Sequence, residues 1–366
     1  MAPFLRREGK TFKSGLLGIL LASTLVAGTT VASSATAPRT SSTSAVSKGI
    51  NICFYATNPL PPLSTVKANS EADAAFAKTL GANTVILNFF FYTASLNANS
   101  IVAGVDPADS TRRTASVEEI SAVVTIFQNA GLNVVLRPLL EENNLAPSWR
   151  GQIAPTNRSL WFSSYWADLE PYLTLAQQLG ISGFDLQSEL LSMASDAHWT
   201  SLIARAKSIY GGNLIWNPLR NLGYPGILAR AGTSQYLDLY PSLNVPDSGT
   251  VAQLVSRWNI YWNTYGSPTL PRNTTIGEIW ILAQDGGLYD HPYSWSSTGA
   301  FDQAIQANWF TAACQFAQER HFAGINFWSI ALPGAPPSFT EATPSSPGAL
   351  QPLGLAAIQR CFAGLR

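Results

Sequence analysis

The sequence is short of charge. Asp, Glu, Lys and Arg make up 12% of its 366 residues, about half of the ~25% usual in soluble domains. This shortage does not signal disorder, because hydrophobic residues reach 46% and aromatics 11%, the opposite of a disordered composition. A basic surplus is also absent, with 22 basic and 22 acidic residues. Nothing therefore offsets a phosphate backbone, and nucleic acid is excluded as a partner. Histidine is scarce: His198, His291 and His321 stand far apart and no HExxH is present, which argues against a zinc site. The GxSxG elbow of a serine hydrolase is missing too. So are GxGxxG and GxxxxGK[ST], which removes the phosphate loops expected of a nucleotide-binding open sheet. Three cysteines, Cys53, Cys314 and Cys361, show neither CxxC nor metal spacing. No metal and no cofactor is expected.

The N-terminus is different in kind. Arg6, Arg7, Lys10 and Lys13 precede an apolar, small-residue run over 14–32, the plan of a secretory signal peptide. A signal peptide over 1–35 is expected, then a Ser/Thr-rich linker over 36–48. The rival reading is an uncleaved membrane anchor, since the run is about as long as a bilayer is thick. Cleavage of the basic end leaves 18 basic against 21 acidic residues, a net charge of −3. No later segment is long and apolar enough to span a membrane, so a secreted protein is expected. Export permits disulfides. Cys314 and Cys361 both fall in C-terminal helical patterns, where a bridge is possible, whereas Cys53 reads as a buried thiol.

From residue 49 onward, short apolar runs alternate with amphipathic stretches. Strands are predicted at 50–54, 84–90, 133–138, 183–187, 213–217, 236–240, 275–279 and 324–328. Each is mostly apolar, as for strands buried on both faces. Helices are predicted at 70–80, 116–130, 160–179, 198–210, 222–231, 250–265, 301–320 and 349–363. The second opens with SVEE, a capping-box pattern. Eight such alternations predict a single (β/α)8 TIM barrel, an α/β fold, over 49–366. A doubly wound sheet is the alternative.

In such a barrel the working residues lie at the C-terminal ends of the strands. Those positions hold Asn88 after strand 2, and Arg137, Glu141 and Asn143 after strand 3. Gln187 and Glu189 follow strand 4, Asn217 strand 5 and Tyr240 strand 6. Glu278 and Trp280 come from strand 7, His291 from its loop, and Trp328 from strand 8. Trp149 and Arg150 in the strand 3 loop form a plausible sugar platform. Glu189 and Glu278 interrupt apolar runs, where an ionisable group is costly unless paired or used. They face each other across an eight-stranded barrel. Paired carboxylates of this kind serve retaining glycoside hydrolysis, one as acid/base and one as nucleophile. Two structural glutamates, each paired with an arginine, satisfy the same pattern. The excess of aromatics, 11 Trp, 12 Tyr and 17 Phe, hints at a neutral ligand with apolar faces, such as a sugar.

The segments VVLRP, WRGQIAP, GFDLQSEL, LDLYPSL, IGEIWI and GINFWSI resemble clan A glycoside hydrolases, most closely the family 113 β-mannanases. The resemblance covers about residues 49–330. It implies Glu189 as acid/base, Glu278 as nucleophile, Tyr240 as the group that orients the nucleophile, and Trp328 as the floor of the sugar subsite. From their places in the loops after strands 3 and 7, Trp149 and either Trp280 or Trp295 are expected to stack on sugar faces, and Asn88, Arg137 and Glu141 to bond sugar hydroxyls. The sequence departs from that pattern at RPLLEENN, where Leu139 and Leu140 stand in place of the family's histidine. Ser188 precedes the acid/base where clan A enzymes often have asparagine. The expected activity is endo-acting, β-mannanase-like hydrolysis of a neutral polysaccharide or oligosaccharide. The alternatives are a catalytically silent carbohydrate-binding barrel and a clan A hydrolase of another β-linked glycan.

Overall fold

The computed structural model describes residues 46–59, 61–141, 145, 148–220, 230–265, 274–289 and 299–365. The predicted signal peptide, linker residues 36–45, the helix over 222–231 up to its last two residues, Asn143, His291 and Trp295 lie outside the described residues.

Eight parallel strands form the barrel: β1 (Ser47–Phe54), β2 (Thr84–Phe91), β3 (Asn133–Leu140), β4 (Gly183–Ser188), β5 (Asn213–Asn217), β6 (Ser234–Leu239), β7 (Thr274–Ile279) and β8 (Gly324–Leu332). A two-residue strand, Leu219–Arg220, adds to β6. The sheet closes because β5 pairs with β6 through Ile215 and Ser234, while β1 pairs with both β2 and β8. β1 starts at Ser47, earlier than the apolar run suggests: Lys48 N–H donates to Asn83 Oδ1 at 2.9 Å and its Nζ to the Phe362 carbonyl.

Seven helices are described: α1 (Leu63–Leu80), α2 (Val117–Asn129), α3 (Arg158–Gln178), α4 (His198–Ile209), α5 (Val251–Tyr265), α6 (Gln303–Glu319) and α7 (Pro352–Gly364). The predicted capping box is present: Ser116 Oγ accepts from Glu119 N–H, and Glu119 Oε2 accepts from Ser116 N–H. α1 begins seven residues before the expected Ser70, directly after Pro62; its first two turns carry too few apolar residues to show a period. Among the described residues, no helix is long and apolar enough to cross a membrane.

Burial explains most of the aromatic excess. Trp161, Trp199, Trp216, Trp258 and Trp309 are all fully buried, packed between strands and helices. Trp199 meets Trp216 edge-on at 5.0 Å, and Trp258 meets Trp309 at 5.2 Å. These five rings fill the core and are not a sugar platform. The thiol of Cys53 is buried as expected. Cys314 and Cys361 form a disulfide joining α6 to α7.

Inside the barrel the pleat sets the site. Ile86, Val135, Ile215 and Tyr236 form one apolar cluster. Two residues further along the same strands, hence on the same face, stand Asn88, Arg137, Asn217 and Asp238, all fully buried. The barrel turns from apolar to polar just beneath its C-terminal mouth.

Candidate active site

Glu278 lies in β7 with two strong donors. Arg137 Nη1 donates to its Oε1 at 2.7 Å, and the Tyr240 hydroxyl donates to its Oε2 at 2.6 Å. Both donors stabilise the charged carboxylate. Arg137 also donates from Nε to Asp185 Oδ2 at 3.1 Å. Burial works against the charge of Arg137, but the carboxyl groups around it, with Glu278 and Asp185 in direct contact, outweigh it and hold it as a cation.

Glu189 follows the last residue of β4. Its backbone takes the left-handed φ of +60°, an uncommon conformation for a residue with a side chain. Local bonds hold it there. Its N–H donates to the Asn217 carbonyl at 3.0 Å, and Leu191 N–H donates to its carbonyl at 2.8 Å. Gln187 Oε1 accepts from Leu190 N–H at 3.0 Å. The Glu189 carboxylate lies 3.9 Å from Arg150 Nε.

A third carboxyl completes the centre. Oxygens of Glu189, Asp238 and Glu278 all lie within 4.8 Å of one another. Burial, reinforced by the charge of Glu278, pushes Asp238 well above the usual carboxylate range. Burial likewise pushes Asp185 up to about 7, against the pull of Arg137. The triad of carboxyls is the set among the described residues that offers three metal-ligating atoms. Both Glu278 oxygens are already accepting, from Arg137 and Tyr240.

The structure sorts the remaining expected residues. Arg137 and Asn88 are fully buried and bonded to protein, which corrects the expectation that they bond sugar hydroxyls; Asn88 Nδ2 donates to Asn51 Oδ1 and to the carbonyls of Ile52 and Ile86. Asn217 is also buried and donates to Ser188 Oγ at 3.4 Å. Gln187 is part of the turn that aims Glu189. Glu141 forms an ion pair with Arg112 of the β2–α2 loop. The structure does bring the aromatics together at the mouth. Tyr240, Trp280 and Leu282 cluster with the partly buried Trp149 and Trp328. Trp280 Nε1 donates to the Gly348 carbonyl at 2.7 Å, which fixes its ring.

Asp185 and Asp238 were missed by the sequence reading, although both interrupt apolar runs, GFDLQ and YLDLY. The rule that singled out Glu278 finds both when applied to every strand.

Solved structures of known enzymes share the architecture. A complex of a family 113 β-1,4-mannanase superposes with a TM-score of 0.68 at 15% identity, covering 87% of this chain and 99% of that one. A family 113 β-mannanase from Alicyclobacillus acidocaldarius in complex with ManMIm gives 0.66 at 19% identity, covering 88% and 98%. A GH5_18 protein from Streptomyces cattleya in complex with GlcNAc gives 0.53 at 13% identity, covering 87% and 80%. At these identities the likeness establishes the fold. No curated protein matches the chain. The family described as Glycoside Hydrolase Family 113 matches residues 63–333, close to three quarters of the chain. The chain belongs to glycoside hydrolase family 113 and is a glycoside hydrolase.

Proposed function

We propose that the protein is a secreted, endo-acting β-mannanase that hydrolyses β-linked mannan or manno-oligosaccharides by double displacement. Glu278 is the nucleophile and Glu189 the acid/base. The observation that carries this reading is the spacing of the two glutamates. One oxygen of each glutamate lies within 4.8 Å of one of the other, which suits the ~5–5.5 Å carboxyl separation of retaining enzymes better than the about 6.5–9.5 Å of inverting ones.

The environments assign the roles. Carboxyls this close cannot all be ionised. Glu278, with a guanidinium and a phenol donating to it, takes the negative charge and attacks the anomeric carbon. Glu189 keeps its proton and gives it to the departing glycosidic oxygen. Glu189, now ionised, takes a proton from the water that attacks the glycosyl ester, and the sugar leaves Glu278. Arg150, 3.9 Å from Glu189, offsets the charge that Glu189 carries between the two steps. Tyr240 holds Glu278 in line. Trp149, Trp280 and Trp328, clustered at the mouth, offer faces for the sugar rings. The chemistry needs no metal or cofactor.

Two features support secretion: the signal-like N-terminus and the Cys314–Cys361 disulfide, since such bonds persist in oxidising compartments. Mannan is favoured because the family 113 structures similar to this chain are β-mannanases by name. The test is hydrolysis of β-1,4-mannan beside β-glucan, xylan and chitin by the wild type and by Glu189→Gln and Glu278→Gln. The reading expects mannan to be cut fastest and each variant to lose on the order of a thousandfold or more in kcat. Preference for another glycan replaces the substrate, and unchanged hydrolysis by Glu278→Gln removes the assignment of the nucleophile.

A further inference from the structure

Asp238 stands where no role has been assigned, between the two glutamates. It is fully buried. Its Oδ2 accepts from Ser188 Oγ at 3.3 Å, and Ser188 Oγ in turn accepts from Asn217 Nδ2 at 3.4 Å. Its Oδ1 has no hydrogen-bond partner among the described residues. The absence of a side chain at Gly277 makes room for that oxygen: a Cβ there would lie 2.6 Å from it.

The charges around Asp238 do not balance if it is ionised. Glu278 faces it from β7, Arg137 from β3, Asp185 from β4 and Glu189 from the turn after β4. Tyr236 and Tyr240 flank it on its own strand and segment. Arg137, the single cation among these groups, is committed by direct contacts to Glu278 at 2.7 Å and Asp185 at 3.1 Å. Asp238 receives no bond from it. An anion at this point would lie within 4.8 Å of both Glu189 and Glu278, with one hydroxyl bonded to it and the charge of Arg137 shared among Glu278, Asp185 and itself, a costly arrangement in a buried site.

We propose that Asp238 is a positioning residue of the reaction, held as a neutral carboxylic acid so that a single negative charge at a time stands at the paired glutamates. It acts through Glu189. An ionised Asp238 would hold the Glu189 proton too tightly for transfer to the leaving oxygen, and would oppose the ionised Glu189 that activates water. A neutral Asp238 permits both states. Its own proton is not consumed: the proton that travels is that of Glu189, given to the leaving group in the first step and regained from water in the second. The direction of the burial effect on Asp238 agrees. The inference rests on the proposed roles of Glu189 and Glu278.

The test compares wild type, Asp238→Ala and Asp238→Asn on a manno-oligosaccharide, with kcat, KM and the pH dependence of kcat/KM. Circular dichroism and Tm first establish that each variant is folded. Asn reproduces the shape and neutrality of the protonated acid. The expected result is a fall of about 100-fold in kcat for Asp238→Ala and recovery of at least about tenfold of it by Asp238→Asn. The alkaline limb of the Asn variant should lie within about 0.3 pH unit of the wild type. An Asn variant as slow as Ala overturns the proposal. So does an Ala variant at the wild-type rate. An alkaline limb displaced downward by about a pH unit or more also overturns it, since that displacement reports loss of a negative charge at this distance. Glu278→Gln, run in parallel, separates the two layers of the argument: wild-type activity in that variant removes the reaction itself, whatever Asp238 does.

Discussion

Asp73 tests whether burial governs the ionisable groups of this charge-poor protein. It lies on the inward face of α1 with Val66, Ala74 and Ala77. Neither carboxyl oxygen has a hydrogen-bond partner among the described residues, and burial pushes its pKa from 3.8 to about 7. The folded protein therefore retains this proton up to about pH 7, while the unfolded chain loses it near pH 3.8. Between those values the folded state binds more protons than the unfolded one, so stability falls as pH rises. The contribution is fully present below about pH 4 and is lost by about pH 7. About 3 pH units at ~1.4 kcal/mol each give a ceiling of about 4 kcal/mol. Asp73→Asn keeps the volume and removes the titration. Urea unfolding followed by tryptophan fluorescence should show the variant about 2–4 kcal/mol more stable than wild type at pH 8, and within about 1 kcal/mol at pH 4. An equal difference at both pH values refutes the reasoning, because it means that the carboxyl is not held neutral in the fold.

Three further outcomes follow from single contacts. Tyr240→Phe removes a 2.6 Å hydrogen bond to Glu278; a bond to a charged acceptor is worth about 1.5–3 kcal/mol, so steady-state kinetics should show kcat lower by roughly 10–100-fold with an unchanged Tm. Gly277→Ala drives a methyl group to 2.6 Å from Asp238 Oδ1; forcing the strands or Asp238 to shift should cost about 1–3 kcal/mol in denaturant unfolding and at least about tenfold in kcat. The Cys314–Cys361 bridge closes a loop with a sequence separation of 47; the double alanine variant should be about 2–4 kcal/mol less stable by urea unfolding, with kcat unchanged because α6 and α7 lie on the outer layer.

The barrel was legible because each strand is an apolar run buried on both faces. The eight predicted strands appear, with ends displaced by up to four residues. That Glu189 and Glu278 come together was legible for a related reason: a charge inside such a run has to be used or neutralised. The direction of the supporting side chains was not legible. Position at a strand end places Arg137, Asn88 and Asn217 near the mouth, but the pleat turns them into the barrel, where they bond protein groups. Trp216, equally a strand-end residue, turns outward to meet Trp199. Composition did not place the aromatics, because a count does not distinguish Trp258 in the helix layer from Trp280 at the mouth. Asp238 escaped notice because Tyr240, two residues later on the same face, was taken as the strand's contribution to the site.

The central claim is that Glu278 and Glu189 act as a retaining pair. The most direct measurement is the configuration of the product first released from a manno-oligosaccharide, followed by proton NMR before mutarotation. The account predicts that the β-anomer appears first and the α-anomer grows in later. Release of the α-anomer first would contradict it, since inversion is the outcome of a wider carboxyl spacing than this pair shows.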